Sequence, residues 1–214
     1  MIHESFYWKY ELYKYFIILA NFRFLKKPIE QSFVRIEKAI LFGGYIIRKL
    51  DEAQKIPPDF LTDRINIRKY KCKTYLIDHR NSHRVDSNYD LDNFVLEKRD
   101  YSFIINQIIH SFNLVYSFDE SDRLDGIYVN SDKTKLASLY YLSLRDILFL
   151  FLKISEGDIT SATLSREYLN NKNGRTSPGP SRLISAIYSY SLKESLDKII
   201  ERTMDGHVYK RSSE

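Results

Sequence analysis

Residues 29–50 read IEQSFVRIEKAILFGGYIIRKL, with apolar or small residues at Ile29, Phe33, Ile36, Ile40, Gly43, Ile47 and Leu50. Steps of three and four place these positions on one stripe of an α-helix of about six turns. Pro28 stands just ahead, where its fixed φ suits the first turn of a helix, and Pro57-Pro58 closes the run. The pair Gly43-Gly44 costs helix propensity, about 1 kcal/mol per glycine relative to alanine, so its place in the stripe predicts a close helix crossing. Upstream, Ser5 to Lys26 alternates aromatic and charged residues at helical spacing. Phe6, Trp8, Tyr10, Tyr13, Phe16 and Ile17 share a broad face there. The two segments together predict a long αα-hairpin.

Working downstream, Leu61 to Val85 is polar and basic and reads as a loop or a binding segment. Leu96 to Phe112 has helical periodicity. Asn113 to Asp132 changes to a period of two around Gly126, with Asp119 to Asp122 as a turn, and predicts a small β-hairpin near 114–130. Leu136 to Ser155 is apolar on several sides and predicts a central helix. Glu156 to Asn173 is polar and has no clear period. Gly174-Arg175-Thr176-Ser177-Pro178-Gly179-Pro180 is the clearest breaker cluster, and Ser181 then caps a last helix reaching Thr203. The expected fold is mainly α: a long helical hairpin packed on further helices, with a small β-hairpin insertion. It forms one domain over 1–204, followed by a polar tail over 205–214.

Composition agrees with that expectation. The 214 residues include only 7 glycines and 5 prolines, which disfavours a turn-dense all-β fold. A hydrophobic share of 43% can build a core, which excludes a disordered chain. The single cysteine, Cys72, excludes an intramolecular disulfide and a Cys-rich zinc module and suits a reducing compartment. The N-terminus lacks the basic and apolar regions of a secretory leader. The most apolar runs, 15–25 and 147–154, fall short of the roughly 20 residues a bilayer requires. A soluble, cytoplasmic protein with no membrane contact is expected. No P-loop, Gly-x-Gly-x-x-Gly, Gly-x-Ser-x-Gly or His-Glu-x-x-His motif occurs.

The net charge of +5 is unevenly spread. Residues 61–85 hold seven Lys and Arg against two acids, whereas residues 86–132 hold three against ten. The two blocks read either as an intramolecular pairing or as a binding surface beside its counterweight. Arg68, Lys69, Lys71, Lys73, Arg80, His83 and Arg84 are the candidate nucleic-acid contacts, with Tyr70 and Tyr75 interleaved for stacking. His79 and His83, four apart between Asp78 and Asp86, have the spacing of a metal pair, but Arg80 and Arg84 place positive charge there. No metal or cofactor is therefore expected. In the second helix, Glu37 and Arg48 fall on one line of positions. They predict a structural ion pair or a supporting role beside a histidine.

The chemically suggestive run is Arg99 to His110. On a helix Asn106 and His110 lie one turn apart on one side, and Arg99 lies seven residues before Asn106. A histidine moves a ribose 2′-hydroxyl proton, and a guanidinium stabilises charge growing on phosphate oxygens. The bland alternative is a histidine that simply ends a helix. A helical hairpin with an Asn-x-x-x-His pair on an apolar helix resembles the HEPN superfamily of all-helical proteins, common in bacterial antiviral defence and toxin systems. Asn106 and His110 match the last two elements of that motif, and Ile105 stands where the motif arginine would be. The resemblance implies metal-independent endoribonuclease activity at a dimer interface. His110 would be the acid–base group, Asn106 its neighbour, and the arginine would come from Arg99, Arg80 or Arg84. The alternatives are a non-catalytic nucleic-acid-binding module and a protein-assembly subunit. The Tyr- and Phe-rich first helix is the expected surface for a homodimer or another protein partner.

Overall fold

The computed structural model describes residues 2–170, 176–190 and 192–211. Gly174, Arg175 and the last three residues of the expected tail lie outside that set. The expected αα-hairpin is present as α1 (Phe6–Phe22) and α2 (Glu30–Glu52). Helix and strand claim similar shares of the described residues, 38% and 35%, so the chain is mixed α and β, not mainly α. The all-helical architecture implied by the HEPN resemblance is likewise not adopted.

After a turn of 3-10 helix at Phe60–Thr62, the order is β1 (Arg64–Cys72), the short α3 (Val85–Asn88), β2 (Tyr89–Asp100) and α4 (Tyr101–Ile109). Then follow β3 (Ser111–Phe118), β4 (Leu124–Ser131), β5 (Ser138–Ser143) and α5 (Leu144–Ser155). A long ribbon of β6 (Gly157–Asn170) and β7 (Thr176–Tyr190) precedes α6 (Leu196–Met204). Strands β1 to β5 make one antiparallel sheet in the order β2-β1-β5-β4-β3, and β6 and β7 pair separately. The expected β-hairpin exists, but as two of five strands of a sheet that spans the molecule.

Two expected helices begin too early in the sequence. The apolar period over 96–112 runs across a boundary: residues 96–100 finish β2, and α4 starts only after Asp100, whose Oδ1 accepts the Phe103 N–H at 2.7 Å. The segment 136–155 divides in the same way. Ser143 accepts the Asp146 N–H and donates to its carboxylate, so α5 starts at Leu144 after β5. The basic segment contains β1, and the region after the breaker cluster contains β7 before α6. The helix expected from Ser181 therefore begins fifteen residues later, at Leu196.

One face of the five-stranded sheet carries the main core. Ile67, Ile127, Val129, Tyr140 and Leu142 from the sheet pack with α1, α2, α4 and α5. The glycine pair is the crossing point. A Cβ at Gly43 would lie 2.2 Å from Phe151 of α5, and one at Gly44 would lie 3.2 Å from Ile108 of α4. A second, smaller core forms on the outer face, where Ile77 and Val85 cover Tyr70, Tyr89 and Leu139. The ribbon is anchored at its base by Tyr188, which packs on Phe60 at 4.7 Å and donates to the Ile154 carbonyl. Lys9, itself buried, donates to the Gly157 carbonyl and pairs with Asp158 at 2.7 Å. After α6 the chain returns to the core, and Arg211 pairs with Glu156 and donates to the Ser155 carbonyl. No described helix is long and apolar enough to cross a membrane.

Candidate functional site

The close approach at Gly44 sets α2 against α4, so that the next turn of α2 brings Arg48 over the end of α4. Arg48 Nη1 lies 3.3 Å from Asn106 Oδ1 and 3.4 Å from His110 Nε2. A guanidinium only donates, so this contact is a hydrogen bond in the imidazole tautomer that leaves Nε2 free to accept. Arg48 Nε donates to Glu52 Oε1 at 2.9 Å and fixes the far side of the guanidinium. Asn106 and His110 are one turn apart at the solvent-facing end of α4, and the His110 N–H closes the helix on the Asn106 carbonyl. Both side chains are exposed and open to an incoming molecule.

The electrostatics beside this cluster are mixed. Lys49 and Arg48 both hydrogen-bond Glu52 and hold its carboxyl below the usual value. Asp51 is pushed the other way, by burial and by the neighbouring Glu52. A cavity of about 220 Å³ adjoins the cluster, lined by Arg48, Asp51, Leu61, Ser102 and Asn106 among others. Arg48 pairs with Glu52 and reaches the histidine, in place of the Glu37 partnership expected from the sequence.

Arg99 is not part of this cluster. It precedes α4, whereas His110 follows it, and nine helical residues separate the two ends by about 14 Å at 1.5 Å per residue. Its guanidinium instead pairs with Glu97 and lies 4.4 Å above the Phe103 ring. The basic block is also divided. Strand alternation sends Lys69 and Lys71 to the helix side of the sheet and Arg68 to the outer side. Lys69 pairs with Glu97 at 3.1 Å, and Lys73 donates to the Asp86 carbonyl. Arg80, His83 and Arg84 are exposed on the connection between β1 and α3. His79 packs against Phe112 at 5.1 Å, and no group of three potential metal ligands gathers among the described residues.

Sequence reasoning named Asn106 and His110 as the pair and Arg48 only with Glu37, as an ion pair or a support beside a histidine. It sought the arginine of the cluster in Arg99, Arg80 or Arg84, whereas Arg48 comes from 58 residues before Asn106. The available signal was Gly44, one turn before Arg48, marking the face of α2 that meets another helix. No protein-family model, curated protein or solved structure matches the chain.

Proposed function

We propose that the protein is an endoribonuclease that cleaves RNA by transfer to the ribose 2′-oxygen, with His110 and Arg48 as its catalytic pair. The supporting observation is the meeting of Arg48, Asn106 and His110 at an exposed site. Arg48 turns from His110 Nε2 to the phosphate, and the freed Nε2 accepts the 2′-hydroxyl proton as the O2′–P bond forms. The P–O5′ bond breaks, and the departing O5′ takes a proton from solvent. Arg48 donates to the phosphoryl oxygens as their charge grows, while Asn106 and Glu52 hold the guanidinium in place. The products are a 2′,3′-cyclic phosphate and a 5′-hydroxyl end.

Purified protein should cut an end-labelled RNA in the presence of EDTA and leave those ends. His110→Ala should slow the cut by about 10²–10⁴-fold, and Arg48→Ala by about 10²–10³-fold. Arg99→Ala should change the rate far less. Equal rates for the wild type and His110→Ala would remove the assignment.

A second reading concerns assembly. Helices α1 and α2 leave an apolar groove of about 480 Å³ lined by Tyr7, Trp8, Tyr15, Phe42 and Tyr45. Tyr7 is 72% exposed and Phe42 51%. Glu11 and Lys49, each ion-paired within the chain, flank this patch, so it meets its own copy without a surplus of either charge. We infer a two-fold homodimer through this groove. Sedimentation should show a dimer that Tyr7→Glu with Phe42→Glu converts to a monomer. A monomeric wild type at tens of micromolar would exclude it.

A further inference from the structure

Helices α1, α2, α4 and α5 lie against one face of the five-stranded sheet, and the connection 73–88, with the short α3, covers only one end of the other. The rest of that outer face is open. On β1 it presents Arg64, Asn66 and Arg68, and on β2 Phe94, Leu96 and Lys98, paired as Asn66 with Lys98, Arg68 with Leu96, and Tyr70 with Phe94. Phe94 is 47% exposed and Leu96 63%.

Below these side chains lies a connected set of rings. Tyr70 meets Phe94 at 6.0 Å and Tyr128 at 5.6 Å, and Tyr128 meets Tyr141 at 5.3 Å. Arg68 rests its guanidinium 5.1 Å from the Phe94 ring and 5.0 Å from the Tyr141 ring. Gly126 makes room for Tyr141: a Cβ there would come within 2.8 Å of that ring and 2.4 Å of the Leu142 carbonyl. The Tyr141 hydroxyl donates to Asp125, which occupies that carboxylate. Arg64, Arg68 and Lys98 form no ion pair among the described residues, in contrast to Lys69 and Arg99 on the other face.

We propose that this outer sheet face is a binding platform for single-stranded RNA. Bases stack on Phe94 and on the Arg68 guanidinium, and Arg64 and Lys98 take the flanking phosphates. The charge argument selects the occupant. Unpaired cations beside a flat exposed ring match a polyanion with free base faces, whereas a duplex offers its phosphates but hides its bases. Arg68 is already held flat between rings, so little of its freedom remains to be lost on binding. The proposal shares only its ligand, RNA, with the catalytic reading, and it stands on residues on the opposite side of the sheet.

The test uses the full chain carrying His110→Ala, so that RNA stays intact, and fluorescence anisotropy with a labelled 12-nucleotide oligouridylate. Binding should weaken as salt rises. Phe94→Ala should weaken it by about 5- to 150-fold, the loss of one stacked base. Arg68→Ala should weaken it similarly, and Lys98→Ala should reduce the salt slope by about 0.7, the loss of one phosphate contact. A 12-base-pair RNA duplex should bind less tightly than the single strand. Phe94 and Arg68 are surface positions, so both variants should fold, and circular dichroism checks that they do. Unchanged affinity in both folded variants, equal or tighter duplex binding, or a dimer lost with Phe94→Ala would each overturn the proposal. RNA cleavage by the wild type separates the two readings. Cleavage with Phe94-independent binding leaves only the catalytic site standing, and Phe94-dependent binding without cleavage leaves only the platform.

Discussion

Gly43→Ala is expected to lower the unfolding free energy by about 1–3 kcal/mol, and Phe151→Ala to lower it by about 3–5 kcal/mol. The added methyl at position 43 would stand 2.2 Å from Phe151 Cζ and 2.5 Å from Cε2. The ring has little room to retreat, because Phe151 is almost fully buried and the cavity it lines with Ile108 and Leu142 holds only about 10 Å³. Alanine has a better helix propensity, worth about 1 kcal/mol, and that gain only partly offsets the clash. Removing the ring has the opposite defect, an empty volume at the helix crossing. The two defects compensate, since the new methyl enters part of the space the ring leaves. The double variant should therefore be more stable than the sum of the single effects by about 1 kcal/mol or more. Urea midpoints at unchanged m measure all three. A Gly43→Ala protein as stable as wild type would show that the glycine is not what lets the helices meet.

That crossing was legible in the sequence because it lies on a long helix with a strict period. α1 and α2 are the two longest helices, and their apolar spacing repeats often enough to outweigh local exceptions. The strands were harder to read for separate physical reasons. β1 is clothed on both faces but interrupted by charge: Arg68 extends outward over rings, while Lys69 is neutralised by Glu97. β2 is an edge strand with most of its middle exposed, so it lacks an apolar side that would reveal a period of two. β5 is buried on both faces, which makes its sequence resemble the start of the helix that follows. At both misplaced boundaries the true signal was a capping residue, Asp100 and Ser143, and not the apolar pattern.

The candidate site divides along the same line. Asn106 and His110 are four residues apart on one helix, a relation that spacing alone reveals. Arg48 joins them only through the packing of α2 on α4, which no local pattern encodes. The basic block misled for the opposite reason. Its residues are adjacent in sequence, but a strand separates neighbours to opposite faces, so no single patch forms.

Arg23→Ala should destabilise the fold by about 3–5 kcal/mol, chiefly by stranding buried carbonyls. Arg23 follows α1 and is 8% exposed. It donates to the carbonyls of Leu124 and Met204 and pairs with Asp119 at 3.2 Å, joining α1, the β3–β4 hairpin and the end of α6. One planar group with donors on three sides serves all of these acceptors. Arg23→Lys, with its donors on one atom, should recover only part of the loss. The pH dependence distinguishes the carbonyls from the ion pair. Burial raises the Asp119 carboxyl, but the N–H groups of Arg123 and Ser121 and the cations of Arg123 and Arg23 outweigh it and leave the group below its usual value of 3.8. A depressed carboxylate adds stability that is fully present above its unfolded value and is lost as pH falls through its lower folded value. The share of the Arg23 effect that belongs to Asp119 must therefore fade in acid, whereas the share owed to the two carbonyls must persist. With the carbonyls dominant, urea denaturation should give nearly the same deficit for Arg23→Ala at pH 7 and pH 3. A deficit that vanishes at pH 3 would assign the cost to the ion pair instead.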